Sequence, residues 1–250
     1  RGADAPLTLD PDNLDFEITG NAKRIQQYVS IAYNPPGEGP GKDRYFAVWE
    51  DDRAGVGNPH SYPPLLYERL DLDIYGGFFD GNGNPLGQPP NFPIFAGDGP
   101  QRYPRLAYNS RDNEYLVVFQ SYVDGDAYRK VYAQRLAHDG TPIGALLEID
   151  GQAVNYIGYE SSVPRPDVAY NPVAGRYFLV WTRRSASTRS VWGRTVTPDG
   201  AGAVLGPMFE VSGRGSEPRV AFNSTRNQYL VVYYYGSPAQ VEHVVLSGGS

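Results

Sequence analysis

The sequence predicts an all-β fold, a four-bladed β-propeller of four-stranded antiparallel blades. Three observations carry that reading. The phrase YLVVF at 115–119 returns as YFLVW at 177–181, YLVVY at 229–233 and YFAVW at 45–49. Each copy follows an A-Y-N type phrase: IAYN at 31–34, LAYN at 106–109, VAYN at 168–171 and VAFN at 220–223. Gly 29 and Pro 22 make up about a fifth of the 250 residues, a turn-rich composition that favours many short strands over long helices. A period of this kind marks a repeat architecture, in which each unit buries its faces against its neighbours.

Four strand positions, A to D, follow in order. The A-Y-N phrase is strand A, entered after a polar residue and left through a turn. The continuously apolar YLVVF-type phrase is strand B, as for a strand covered on both faces. Strand C is DIYGGFFDGNG, KVYAQRLAHDG, SVWGRTVTPDG and the degenerate QVEHVVLSGG. Its period-two alternation suits a strand with two distinct faces. Gly83, Gly140 and Gly200 follow Asn or Asp and mark a tight turn into strand D. Strand D is NFPI at 91–94, LLEI at 146–149 and MFEV at 208–211. The last unit ends after strand C, while NLDFEI at 13–18 matches strand D and precedes the first unit. The N-terminal strand is therefore expected to complete the last blade and remove an exposed edge, the alternative being pairing with another molecule. The expected organisation is one propeller domain over 1–250. It divides into a latch at 1–20, blade 1 at 21–95 with an insert at 55–71, and blades at 96–150, 151–212 and 213–250.

Composition excludes several functions. With no Cys, disulfides, thiolate metal sites and Cys nucleophiles are absent. The formal net charge is −6 and no Lys/Arg run is present, which disfavours a nucleic-acid partner. No apolar run reaches the roughly 20 residues of a membrane-spanning helix. The opening RGADAPLTLD has neither Met nor an apolar signal core, as expected of a processed chain. No phosphate loop or G-x-S-x-G elbow occurs, and the three histidines fall at unrelated strand positions. No cofactor is expected. Calcium at Asp124 and Asp126 is the less favoured alternative to a solvated loop, and DGNGN at 80–84 reads as turn chemistry.

The run VWEDDRAG…LDIYGGFFDGNGNPLG resembles a tandem β-propeller repeat of secreted or surface-exposed bacterial proteins. Those repeats are built on P-x-[VIL]-A-Y-N, Y-L-V-V-W, D-I-Y-G-Q-R and D-G-x-P-x-G. The resemblance covers almost the whole chain, with Phe119 and Tyr233 where Trp is usual. It implies an extracytoplasmic, extracellular or cell-surface repeat protein without enzymatic activity.

Candidate functional residues follow from loop length. The A–B and C–D loops are short, whereas the B–C and D–A loops are long and emerge on one face, rich in Tyr and Arg. Expected binding residues there are Tyr62, Tyr67, Arg69, Tyr103, Tyr122, Tyr128, Tyr159 and Arg184. In the 55–71 insert, Tyr62 and Tyr67 are the expected anchors and Arg69 the polar contact, unless the insert packs as a lid. Three residues before each strand-A aromatic stand Ser30, Arg105, Asp167 and Arg219, expected to ring the central channel. Facing Arg105 and Arg219 suit an anion or carboxylate, or close with Asp167 into a salt-bridged plug. Asp167 is the only acid assigned to the inner strands, which argues against the carboxylate pair of a glycosidase. The function expected is a non-catalytic extracellular binding or adhesion module for carbohydrate or protein. A strand-exchanged fibre or surface-layer subunit, pairing with copies of itself, is the alternative, and a glycan-active enzyme is the weaker one.

Overall fold

The computed structural model describes residues 26–53, 72–87, 89–97, 99–121, 129–154, 164–185, 188–236 and 240–249. The fold is all-β, in four successive antiparallel units with a propeller-like arrangement. The first unit holds β1 (Gln26–Asn34), β2 (Arg44–Asp51) and β3 (Asp73–Asp80), with β4 (Pro85–Leu86) and β5 (Phe92–Phe95) both paired to β3. The second holds β6 (Gln101–Asn109), β7 (Glu114–Ser121), β8 (Arg129–Ala137) and β9 (Pro142–Val154). The third holds β10 (Asp167–Asn171), β11 (Arg176–Arg184) and β12 (Arg189–Asp199), with β13 (Gly202–Leu205) and β14 (Phe209–Ser212) both on β12. The fourth holds β15 (Ser216–Asn223), β16 (Gln228–Tyr235) and β17 (Gln240–Ser247). One parallel bridge, Arg184 with Val154, ties the second unit to the third. The strand expected at 13–18, the insert at 55–71 and Asp124 and Asp126 lie outside the described residues.

The continuous apolar run of strand B is explained by burial on two faces. Tyr115, Val117 and Phe119 of β7 meet Phe46, Val48 and Ile74 of the first unit. Leu116 and Val118, pointing the other way, meet Tyr177, Leu179 and Trp181 of the third. Phe178 and Val180 then meet Tyr229, Val231 and Tyr233 of the fourth. Trp49, Phe119, Trp181 and Tyr233 fill equivalent places, each 6% exposed or less. Burial of side chains this large contributes about 1.5–3 kcal/mol apiece, so these cores hold the units in sequence.

The Asn of A-Y-N closes the A–B turn. Asn109 Oδ1 accepts the N–H groups of Arg111 and Asp112 at 2.9 and 3.1 Å, and Asn171 Oδ1 does the same for Val173 and Ala174. Asp80 Oδ1 accepts from the N–H groups of Asn82 and Asn84, which is turn chemistry rather than an ion loop. Strand A of each unit packs on strand A of the next, β1 on β6, β6 on β10, and β10 on β15. The outward faces of the end units stay open: Ile31 on β1 and Val245 on β17 are more than half exposed.

Candidate functional site

The start of each inner strand is kinked at one repeated position. Tyr28, Tyr103, Arg165 and Glu217 have φ of 55°, 56°, 38° and 53°. None is glycine, and the left-handed region is strained for L residues by roughly 1–2 kcal/mol each. In β1, β6 and β15 the ladder slips at that point, between Gln27 and Ser30, Arg102 and Arg105, and Ser216 and Arg219. The preceding unit grips two of the kinks. Glu50 Oε1 accepts the Tyr103 N–H at 2.6 Å, and Thr182 Oγ1 accepts the Glu217 N–H at 2.9 Å. Glu50 and Thr182 each follow the buried Trp of their strand B, so the core anchor also fixes the bracket.

The kinks bring four side chains, one per unit, into a row across the starts of the inner strands, called the mouth below. Tyr28 and Tyr103 meet edge to face, with centroids 4.5 Å apart. The Arg165 guanidinium lies 4.9 Å over the Tyr103 ring. Arg165 Nη1 donates to Glu217 Oε2 at 2.7 Å. Tyr103 is buried, and burial pushes its phenol well above the ordinary value.

Two residues after each member of the row stand the four residues expected at the channel. Ser30 Oγ accepts the Leu106 N–H at 3.3 Å, and one unit pair further on Asp167 Oδ2 accepts the Val220 N–H at 2.9 Å. Arg105 Nε stands 3.9 Å from Asp167 Oδ1. Burial raises the Asp167 carboxyl above its ordinary value, against the Val220 N–H and the Arg219 and Arg105 charges. Burial, and then the Arg219 charge, lower the Arg105 guanidinium. Glu50 is fully buried and already engaged, accepting from Gln27 Nε2 at 3.0 Å with Arg102 Nε 3.9 Å away.

A cavity of about 600 Å³ opens beside the mouth, within the usual range of small-molecule sites. Arg184, Arg189, Ser216, Glu217, Tyr234 and Tyr235 line it. Glu217 thus belongs both to the row and to the cavity, with its side chain 36% exposed. Gly215 (φ 101°) backs the wall, where a Cβ would stand 2.3 Å from the Tyr233 ring. Tyr235 is stacked under Arg214 at 4.5 Å, and Arg214 pairs with Glu242 at 3.0 Å.

Of the residues expected from sequence, Arg105, Asp167 and Arg219 are neighbours, and Ser30 bonds the backbone of Leu106 beside Arg105. Arg184 lines the cavity. Tyr103 sits at the mouth as a packed ring between Tyr28 and Arg165 rather than as an open stacking face. Tyr62, Tyr67, Arg69, Tyr122, Tyr128 and Tyr159 lie outside the described residues. Among the described residues no cluster of three or more His, Asp or Glu is placed to hold a metal ion. Sequence reasoning missed Tyr28, Arg165 and Glu217. A signal existed: Tyr103, Arg165 and Glu217 each directly precede the Pro of P-x-[VL]-A. The count of a single inner-strand acid is corrected, because β15 begins at Ser216 and includes Glu217.

No family model matches the chain, and no curated protein matches it. Solved structures do. An N-acetylgalactosamine deacetylase from F. plautii, in complex with blood group B trisaccharide, is 15% identical with a TM-score of 0.50 over 90% of this chain and 67% of its own. The catalytic domain of an alpha-L-arabinofuranosidase from Coprinopsis cinerea is 11% identical with a TM-score of 0.51, over 90% and 66%. A Hadza microbial sialidase is 7% identical with a TM-score of 0.58, over 90% and 45%. The chain therefore spans about two thirds or less of these proteins, and the likeness is one of fold. It corrects the resemblance to a non-enzymatic surface repeat: the proteins that share this fold bear the names of glycan-active enzymes. The readings as a non-catalytic adhesion module and as a filament or surface-layer subunit fall with it. The physical reason is plain. The motifs that carried the resemblance, such as 115–119 and 177–181, are buried between blades, so they record packing and carry no information on activity.

Proposed function

We propose that this chain is a glycan-active enzyme whose reaction takes place where the central mouth meets the cavity. The observation that carries the reading is a pair of differently placed carboxylates on adjacent inner strands: Asp167 accepts the N–H of Val220, three residues along β15 from Glu217. Asp167 is 13% exposed and raised by burial, a setting that favours a retained proton and so a donor to a leaving oxygen. Glu217 opens onto the cavity and is oriented by Arg165, which suits the second carboxylate that acts on water or on the sugar carbon. Tyr234 and Tyr235 offer aromatic surface for a sugar ring along the wall. The fold shared with proteins that act on glycans supports the choice of substrate class. An extracellular or cell-surface location accords with such a substrate. Turnover on a panel of oligosaccharides tests the reading: Asp167→Asn and Glu217→Gln should each lower kcat by about 10²- to 10⁴-fold. Absence of turnover across the panel overturns it.

We also infer that residues 13–18 supply the fourth strand of the last unit and close a four-bladed ring. In support, the fourth unit has three strands among the described residues where the others have a strand in the outer position.

A further inference from the structure

We propose that the mouth takes a carboxylate group of an acidic sugar, held between Arg105 and Arg219. The inference rests on the glycan reading and names the class of glycan. Its basis is a charge imbalance that the fold leaves at the axis. Four guanidinium groups and three carboxylates meet there. Glu50 lies by Arg102, and Glu217 is bonded to Arg165. Asp167 alone remains for both Arg105 and Arg219.

Asp167 does not satisfy them. Its Oδ2 is occupied by the Val220 N–H, and its Oδ1 is 3.9 Å from Arg105 Nε, beyond hydrogen-bond reach. Each guanidinium carries five N–H donors. Arg105 Nη1 donates to the Pro104 carbonyl at 3.1 Å, and Arg219 Nη1 donates to the Pro218 carbonyl at 2.8 Å. Among the described residues neither guanidinium makes another hydrogen bond. These backbone bonds are the same in both units and fix each planar group at the repeated strand position. Two fixed, half-buried guanidinium groups with open donors, sharing one buried carboxylate, form an anion site rather than a closed plug. A carboxylate fits such planar forks, and Glu217, two residues from Arg219 on β15, lines the cavity that would take the ring bearing it.

Calorimetric titration of the full chain tests this, with a galacturonate trisaccharide and a galactose trisaccharide compared at low ionic strength. The acidic sugar should bind about 10- to 100-fold more tightly, and its affinity should fall with added salt. Arg105→Gln and Arg219→Gln should each bring the ratio of the two affinities towards one. Arg219→Lys, which keeps charge but loses the planar fork, should restore part of the preference, and circular dichroism confirms that each variant is folded. Equal affinity for the two sugars, or a preference untouched in both Gln variants, overturns the proposal and leaves the glycan reading standing. Failure to bind either sugar, with no turnover on the wider panel, removes both.

Discussion

Arg165 donates to Glu217 at 2.7 Å, and both residues occupy the same left-handed kink in consecutive blades. The ion pair is partly exposed, at 22% and 36%, so solvent screening leaves it under about 1 kcal/mol of stability. Its effect is orientation. Replacing Arg165 by Met should leave the melting temperature nearly unchanged while lowering turnover at least tenfold. Stability and kcat measured on the same preparation check this, and a parallel loss of both would assign Arg165 to packing.

The Thr182 hydroxyl holds the kink that presents Glu217. Thr182→Val keeps the shape and removes the acceptor, leaving the Glu217 N–H unpaired. That should cost about 1–3 kcal/mol in urea unfolding. Thr182→Ser restores the acceptor and should recover most of the loss. Equal destabilisation by Val and Ser would point to the methyl group instead.

Asp167 gives a pH signature. Its folded value lies above the unfolded value, since burial disfavours the ionised form. Its contribution to stability is therefore full below about pH 4 and is lost as pH rises through the folded value. Asp167→Asn abolishes that titration. The variant should gain stability relative to wild type between acid and neutral pH, while losing turnover. A wild-type minus variant difference that is flat with pH contradicts the assignment.

Trp181 is fully buried, and its indole N–H donates to Asp150 Oδ2 at 2.8 Å. Trp181→Ala should cost about 3–5 kcal/mol by equilibrium unfolding. Trp181→Phe should cost less, since it keeps most of the packing and loses the donor, while Arg183 still pairs with Asp150 at 3.1 Å. A loss below about 1 kcal/mol for Ala would contradict the burial.

Deleting residues 1–20 tests the closing strand. The outer edge of β17 should then be open to other molecules, giving association on a sizing column and a less cooperative melt. A truncated chain that stays monomeric and melts like the full one sinks the idea.

The units were legible because burial on both faces forces strand B to be apolar at every position, and that run repeats. Tight C–D turns were legible for a similar reason, since Gly83 and Gly140 meet a conformational need that few residues share. The row at the mouth was not. A left-handed position is read from glycine or asparagine, and here Tyr, Tyr, Arg and Glu occupy it. The kink is imposed by acceptors from the preceding unit, Glu50 and Thr182, whose partners lie 53 and 35 positions away. Arg105, Asp167 and Arg219 could be placed because their offset from the strand-A aromatic is constant. The cavity could not be, because it arises from how the third and fourth units meet.

Three of the four apolar cores among the described residues join a unit to its immediate predecessor in the chain, and the fourth, around Trp49, lies within the first unit. The consequence is kinetic. Native contacts can accumulate hairpin by hairpin and then unit by unit, with short loops closed at every stage, as in a linear repeat array. In the closed ring proposed above, joining the first unit to the last would be the one event that spans nearly the whole chain. Its entropic cost grows only by about 0.6 kcal/mol for each doubling of loop length. A final, slow docking phase with little effect on equilibrium stability is therefore expected when refolding is followed by stopped-flow fluorescence.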